Sequence, residues 1–485
     1  MTNGGNTTGD VVRRDRFSGG PAREFLSSMA DDERIFQADI TIDRAHVVML
    51  AEQTIIDDAT AGDILEALAA VEAAGHDALP AGEDVHAAIE TAVIDRIGPD
   101  GGRMHTARSR NDEVATCIRW QLRTELLEAI EATIDAREAL LSVAADHTET
   151  IMPGYTHLQP AQPTTVAHWC CSYAQAIGRD TARLFDAYDR VNTSPLGAAA
   201  FGGTPFPIDR ERTAALLGFD GVVENSMDAV STRDFLLESV NALATLATTL
   251  SGLAEDLIVF SNKGYVELDD DYASTSSIMP QKKNPDSLEL VRGVAGDAVG
   301  ELTGLYTTLK SLPRAYNRDL QRATPHGWAA VDAVTDAIDV AGGAIATATW
   351  PEETLAAEAD SGFATATGVA DRLAMAGIPF RTAHELVAEA AEAGGDFAAI
   401  AAAAEDVLGE PLEAVVDPDA IETALDPHES VAMRDSVGGP APAAVTETIE
   451  AADRQLKADR DSLETTREAL ATADEQLTEV VSTYV

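Results

Sequence analysis

The chain has 485 residues and an ordinary hydrophobic share of 45%, enough to build a large core, which excludes a wholly disordered chain. Its 34 basic and 82 acidic side chains give a net charge of −48, which excludes nucleic acid and anionic membranes as main partners because both are polyanions. Lysine is nearly absent: Lys263, Lys282, Lys283, Lys310 and Lys457 are the only ones, and every other basic residue is arginine. An acid excess spread over a whole folded chain reads as adaptation to a high-salt cytoplasm, where at about 1 M salt the Debye length falls to roughly 3 Å and self-repulsion is screened.

The N-terminus, Met1 to Asp10, is polar and carries no apolar targeting core, and residues 1–16 read as a flexible lead. No uncharged apolar run reaches the roughly 18 residues a bilayer needs, so a cytoplasmic protein without a membrane span is expected. Residues 31–98 show short helical patterns broken at Ala61-Gly62-Asp63 and Leu79-Pro80-Ala81-Gly82. Leu122, Leu126, Ile130 and Ile134 then predict a long helix over 111–150, ending before Pro153-Gly154.

A second helix is predicted over 163–191 through Trp169, Tyr173, Ile177 and Leu184. It runs into a loop rich in glycine and proline between Pro195 and Pro207. A third, over 233–262, carries Leu236, Val240, Leu243, Ala247, Leu250 and Leu257. A fourth spans 286–310, and a fifth starts near 326 with Val331, Val334, Ile338 and Ile345. Pro351 breaks the run; shorter helices follow 360, and a charged amphipathic helix closes the chain from about 441 to 480.

The predicted class is all-α, with a central bundle of five long helices and domains at 1–110, 111–360 and 361–485. Several bundle helices are apolar on more than one side, which predicts an oligomer formed through the bundle. Cys117, Cys170 and Cys171 read as buried thiols of a reducing interior, because adjacent cysteines suit a disulfide poorly and His168 beside them completes no metal pattern.

Three segments do not read as core. His105-Thr106-Ala107-Arg108-Ser109-Arg110-Asn111-Asp112 gathers Arg103, Arg108 and Arg110 at the start of the first long helix. Such a segment can cradle an anion at a helix N-terminus; the plain alternative is a helix cap with surface arginines. Pro153 to Pro160 places His157 in a proline-flanked turn rather than a helical stripe. Ser274 to Pro285 holds two of the rare lysines, Lys282 and Lys283, with Asn284 before a helix, and lacks the glycines of a phosphate loop. A fourth stretch, Lys310 to Arg322, again inverts the global charge. Cations gathered outside the core suit a small polycarboxylate ligand, and no dinucleotide, metalloprotease or calcium-loop pattern calls for a cofactor or metal.

Together these segments resemble the argininosuccinate lyase branch of the fumarase/aspartase superfamily. The likeness rests on Ser276-Ser277-Ile278-Met279-Pro280-Gln281-Lys282-Lys283-Asn284, on His105 to Asp112, and on Gly154-Tyr155-Thr156-His157-Leu158-Gln159. Asp228 to Ser231 with Arg233, Ala315-Tyr316-Asn317, and Ile378 to His384 extend it over roughly 17–400.

The resemblance implies a three-domain homotetramer whose active sites draw on three subunits. It implies reversible β-elimination of argininosuccinate to arginine and fumarate, the last step of arginine biosynthesis, without a cofactor. It implies Ser276 as base, Lys282 as stabiliser of the alkoxide and enolate-like intermediate, and His157 on the acid side. Ser109, Arg110, Asn111 and Thr156 would hold the fumarate half, Asn284 a carboxylate, and Tyr316 and Gln321 the arginine half.

The chain departs from that pattern at Ala107, Glu113 and Thr275, where the branch has Gly, Gln and Gly. It departs again at Asp43 and Thr324, where the branch has a substrate-holding Ser and Lys; Arg322 stands to replace the Lys. A sister lyase would share Ser276 and Lys282 without the Tyr316/Gln321 pocket, and a structural protein on this fold would need none of them.

Overall fold

A computed structural model describes residues 21–485, so the lead expected over 1–16 lies outside the described residues. An N-terminal layer is formed by α1 (Phe36–Glu52), α2 (Asp58–Ala74) and α3 (Val85–Ile97). The five long helices follow as α4 (Arg110–Asp146), α5 (Val166–Val191), α6 (Asp234–Lys263), α7 (Asp286–Leu309) and α8 (Leu320–Thr347). The stripe Leu122, Leu126, Ile130 and Ile134 is buried, as its four-residue spacing requires.

Caps set the boundaries. Ser109 opens α4 in a capping box with Asp112, Thr165 caps α5 by accepting from the His168 N–H, and left-handed Gly264 closes α6. Three boundaries differ from expectation, the first being the end of α4 at Asp146 rather than 150. α5 starts at Val166 because the proline-rich stretch before it pairs as a hairpin, β1 (Ile151–Thr156) with β2 (Gln159–Thr165). α8 starts at Leu320, with Pro325 inside it. Pro325 has no N–H to give the Gln321 carbonyl, but its fixed φ suits a helix, and so near the N-terminus it removes a single bond.

By length and composition α6 could cross a membrane, and it is the only such helix among the described residues. In the fold it packs against α5, α7 and α8, and half of its most apolar stretch is buried.

Residues beyond α9 (Glu352–Ala359) pack in two ways. α10 (Ala366–Met375), α11 (Phe380–Glu392), α12 (Phe397–Leu408) and α13 (Pro418–Leu425) share a separate core of Val369, Leu373, Leu386, Ile400 and Ile421. After α14 (Pro427–Ala432), α15 (Pro442–Ser482) returns to the bundle and lies on α4 and α5. Its contact residues Ile449, Leu456, Leu463, Leu470 and Leu477 recur every seven positions, the seam of a coiled coil. Arg460 to Glu138 at 2.8 Å, Arg467 to both oxygens of Glu131 at 2.8 Å, and Asp459 to Arg137 at 2.5 Å fasten α15 to α4.

Candidate active site

The structure sorts the predicted site residues into two ends of the bundle. At the α4 N-terminus, a cleft is lined by Ser28, Asp84, His86, Arg110, Asn111, Arg233, Tyr316, Gln321, Thr324 and Trp328. Arg110 meets Asp84 at 2.7 Å, and the Asn111 amide donates to the Ala200 carbonyl at 3.0 Å. Gln321 accepts from Arg318 at 3.2 Å, while Arg318 also pairs with Glu83. Tyr316 is half-buried; desolvation raises its phenol pKa, against the opposing charges of Arg318 and Arg233. Arg233 is buried deeply enough that desolvation brings it down to about 10.

Ser109 caps α4, its hydroxyl accepting from the Asn111 N–H at 3.3 Å, so the plain cap reading of this segment also holds. Asp112 ties the segment to the next loop. Its carboxylate accepts from Ser109 at 2.9 Å and from the Gly197 and Ala199 N–H groups at 2.9 and 2.8 Å.

The three arginines read as one cradle are in fact separated. Arg103 is exposed and pairs with Asp100, Arg108 is buried between Asp43 and Glu113, and only Arg110 reaches the cleft. Asp43 does not stand in the cleft, whereas Ser28 does. Arg322 does not take the place of the missing Lys: its guanidinium lies 5.9 Å from the Phe25 ring, and it lines a separate hollow with Lys310 and Asp319. Ser28, Glu83, Asp84 and His86 were not singled out from the sequence; the run Glu83-Asp84-Val85-His86 at a helix start is the signal that could have found the last three.

At the other end of the bundle stands the β1–β2 hairpin. Thr156 and Gln159 pair across a two-residue turn, His157-Leu158, both with positive φ (56° and 57°). That is the backbone of a type I′ turn, normally given to Asn and Gly. Among the described residues only eight non-glycine positions have positive φ, and Ala107, His157, Leu158, Ala199 and Ala315 lie in or beside the site segments. A non-glycine residue held at such a position costs about 1 kcal/mol or more, so the surrounding structure must hold it there. Ala107, at φ 64°, occupies the position where the resemblance expects Gly. Tyr155 anchors the hairpin by a 2.8 Å hydroxyl contact to Tyr265, which donates to Glu358 at 3.2 Å.

The Ser274–Asn284 loop is closed by β3 (Ser274–Thr275) and β4 (Lys283–Asn284). Inside it the Ile278 and Met279 N–H groups donate to Ser276 Oγ at 3.3 and 3.1 Å. The adjacent lysines have different environments. Lys283 Nζ is held by the Leu268 carbonyl at 2.5 Å and by Asp270 at 2.6 Å, whereas Lys282 is exposed and has no ion pair among the described residues. Asn284 lines a hollow with Lys283, Leu268 and Pro351.

α4 has 37 residues, so its ends, one near Asn111 and the other near the hairpin, are about 55 Å apart at 1.5 Å per residue. α7 has 24 residues and separates Asn284 from the Tyr316 segment by about 36 Å. One chain therefore cannot bring His157 or Ser276 to its own Asn111–Tyr316 cleft.

A lyase family model matches residues 23–300, and a model described as argininosuccinate lyase C-terminal matches 363–432. The argininosuccinate lyase of Haloarcula marismortui is 68% identical over 481 residues, covering 98% of this chain and 96% of that one. The chain belongs to the argininosuccinate lyase family. Among solved structures, an EDDS lyase in complex with formate is similar at 35% identity and a TM-score of 0.85, covering 96% of both chains. A variant of EDDS lyase with bound fumarate is similar at 34% identity and a TM-score of 0.84, with the same coverage. Within this family, the all-α fold and the superfamily expected from the motifs both hold.

Proposed function

We propose that the chain catalyses the reversible β-elimination of argininosuccinate to L-arginine and fumarate. The observation that carries the reaction class is the pair of main-chain N–H groups aimed at Ser276 Oγ, with Lys282 left uncommitted on the same loop. A serine hydroxyl ionises far above neutral pH. Two main-chain donors, with the ammonium of a lysine carried on the same loop, stabilise its alkoxide and make it a competent base. The alkoxide removes a proton from the succinyl CH2, giving an enolate-like carboxylate that Lys282 neutralises. The bond from the neighbouring carbon to the guanidino nitrogen then breaks, leaving fumarate. His157 supplies the proton that the departing nitrogen takes up as it becomes arginine.

In this reading Ser109, Arg110, Asn111, Thr156 and Asn284 hold the fumarate part, and Tyr316 and Gln321 the arginine part. The fumarate-bound EDDS lyase variant supports the product class, and the full-length similarity to the Haloarcula enzyme supports the substrate. The test is fumarate release, followed by its ultraviolet absorbance in molar KCl, from argininosuccinate against adenylosuccinate, aspartate and malate. Turnover of argininosuccinate alone is expected; preference for any other substrate overturns the assignment.

We also propose a homotetramer. The open surface of α7 supports it: Leu290, Val299 and Tyr306, on more than one side of the helix, are 75%, 48% and 53% exposed, and on the glycine face a Cβ added at Gly293, Gly296 or Gly300 would meet nothing. A second helix can approach that face closely. Domain boundaries near 110 and 360 accord with this assembly, with α15 assigned to the bundle. A cytoplasmic, high-salt setting accords with the charge of −48. Lowering KCl from about 3 M to about 0.1 M is then expected to dissociate or unfold the protein, because the Debye length grows from below 3 Å to about 10 Å. Unchanged sedimentation and circular dichroism across that range would refute the salt adaptation.

A further inference from the structure

Behind the cleft wall lies a buried charge cluster that the mechanism does not use. Asp39, Asp43, His86, Arg108, Glu113 and Cys117 are all buried. Arg108 sits between two carboxylates, 2.5 Å from Asp43 Oδ1 and 2.9 Å from Glu113 Oε1. His86 Nδ1 lies 2.9 Å from Asp39 and 3.9 Å from Glu113, and the Cys117 thiol donates to Asp39 at 3.4 Å. One oxygen from each of Asp39, Asp43 and Glu113 lies within 4.8 Å of the other two. The second oxygens of Asp43 and Glu113 are buried and accept no hydrogen bond.

The charges facing this pair can be named element by element. α1 supplies Asp39, α3 supplies His86, the 105–109 segment supplies Arg108 and α4 supplies Cys117; around them His46, His105 and Asp112 act on Arg108, and Asp84 on His86. Burial keeps His46 at about 3 and His105 at about 4, so both are neutral. Burial would lower His86, but its contact with Asp39 overrides this and holds it well above the ordinary histidine range, hence charged. Burial also pushes Asp43 up to about 7 and Glu113 well above the usual carboxylate range. Arg108 and His86 thus supply two positive charges against three carboxyl groups. A net charge left in a dry interior is expensive, and a bound proton is the smallest neutraliser.

We infer that Asp43 and Glu113 hold one proton between them, and that this neutral cluster makes them positioning residues for Arg108 and so for Arg110 and Asn111 in the cleft. Arg108 stands two residues from Arg110, and His86 is both a cluster member and a cleft wall. The charge balance makes an unusual demand. Asp43→Asn leaves Asp39 and Glu113 against Arg108 and His86, which is neutral without any proton. Glu113→Gln does the same with Asp43. The double variant leaves two buried cations facing Asp39 alone. Single changes are therefore mild, and the double change is worse than their sum. A raised carboxyl pKa stabilises the fold fully below the ordinary carboxylate range and loses that contribution as pH rises through the folded value. The wild type should lose melting temperature as pH rises from the ordinary carboxylate range through about 7, and each single variant should lose less.

The test uses the full-length protein in molar KCl. Infrared difference spectra of wild type against each single variant at about pH 6 are expected to show the carbonyl band of a neutral carboxylic acid in the wild type, absent from Asp43→Asn and from Glu113→Gln. A difference spectrum that lacks this band for either variant overturns the shared proton. In kinetics, the singles should change KM for argininosuccinate by about twofold or less, and the double should raise it about tenfold with a smaller effect on kcat. Singles as harmful as the double, or a double with wild-type KM, overturn the positioning role. This part rests on the proposed reaction. If the wild type does not consume argininosuccinate, that proposal fails, while the infrared result still decides the proton.

Discussion

Ser276→Ala is expected to lower kcat for argininosuccinate about a thousandfold, the scale of a positioned general base, and to leave KM within a few-fold. The loop geometry makes this a clean test. Ser276 is only half-buried, and its hydroxyl accepts two N–H bonds that water can replace at an exposed loop. The closing strand pair Ser274–Asn284 and Thr275–Lys283 does not involve its side chain. The assembly should therefore survive, which sedimentation would verify. Ser277→Ala is the control: it removes the neighbouring exposed hydroxyl and should retain most turnover. An active Ser276→Ala enzyme would remove the base from the mechanism, whatever the substrate. His157→Asn is the companion change. Asparagine tolerates the left-handed φ of 56° at least as well as histidine does, so the turn survives while the proton donor is lost.

The second large effect is recovery rather than loss. Ser276→Ala and Asn111→Ala should each be nearly inactive, since each removes a group from every site. Co-assembled in equal amounts, they should regain activity in about a quarter of the sites, because each site takes its Ser276 and its Asn111 from different chains. The reason is the length of the bundle helices: α4 and α7 hold the two groups at opposite ends of one chain. No recovery above the sum of the separate variants would mean that one chain supplies both groups and that the composite site is wrong. The hybrid also reports on the assembly without any measurement of mass.

The long helices were legible because apolar residues at four-residue spacing leave little choice of period, and Ser109 and Gly264 mark the ends. The hairpin around His157 was not, because Pro153 and Pro160 read as a turn and Pro163 as the start of the next helix, and strand pairing among prolines follows from tertiary packing against α9 and α14 rather than from local propensity. The site segments were found from their composition, but not which of their charges were free. Arg108 and Arg110 look alike in the chain; one is buried between two acids and the other reaches the cleft. The acids concerned, Asp43 and Glu113, are 65 and 5 positions away from Arg108, and nothing local links them. Ser28 was missed for a related reason: a serine in a polar stretch becomes informative only when folding carries it to the cleft.

The arginine clasp between α15 and α4 has a consequence for where the molecule can work. Its contacts are 2.5 to 2.8 Å long, about one ionic screening length in molar salt. The repulsion among the surface acids acts over much longer separations. Concentrated salt therefore filters electrostatics by range: it silences the long-distance disorder-promoting field and leaves the short contacts audible. A sequence rich in acid but sparing with lysine, and fastened by planar guanidinium groups that touch their partners directly, is built to hear only its nearest neighbours.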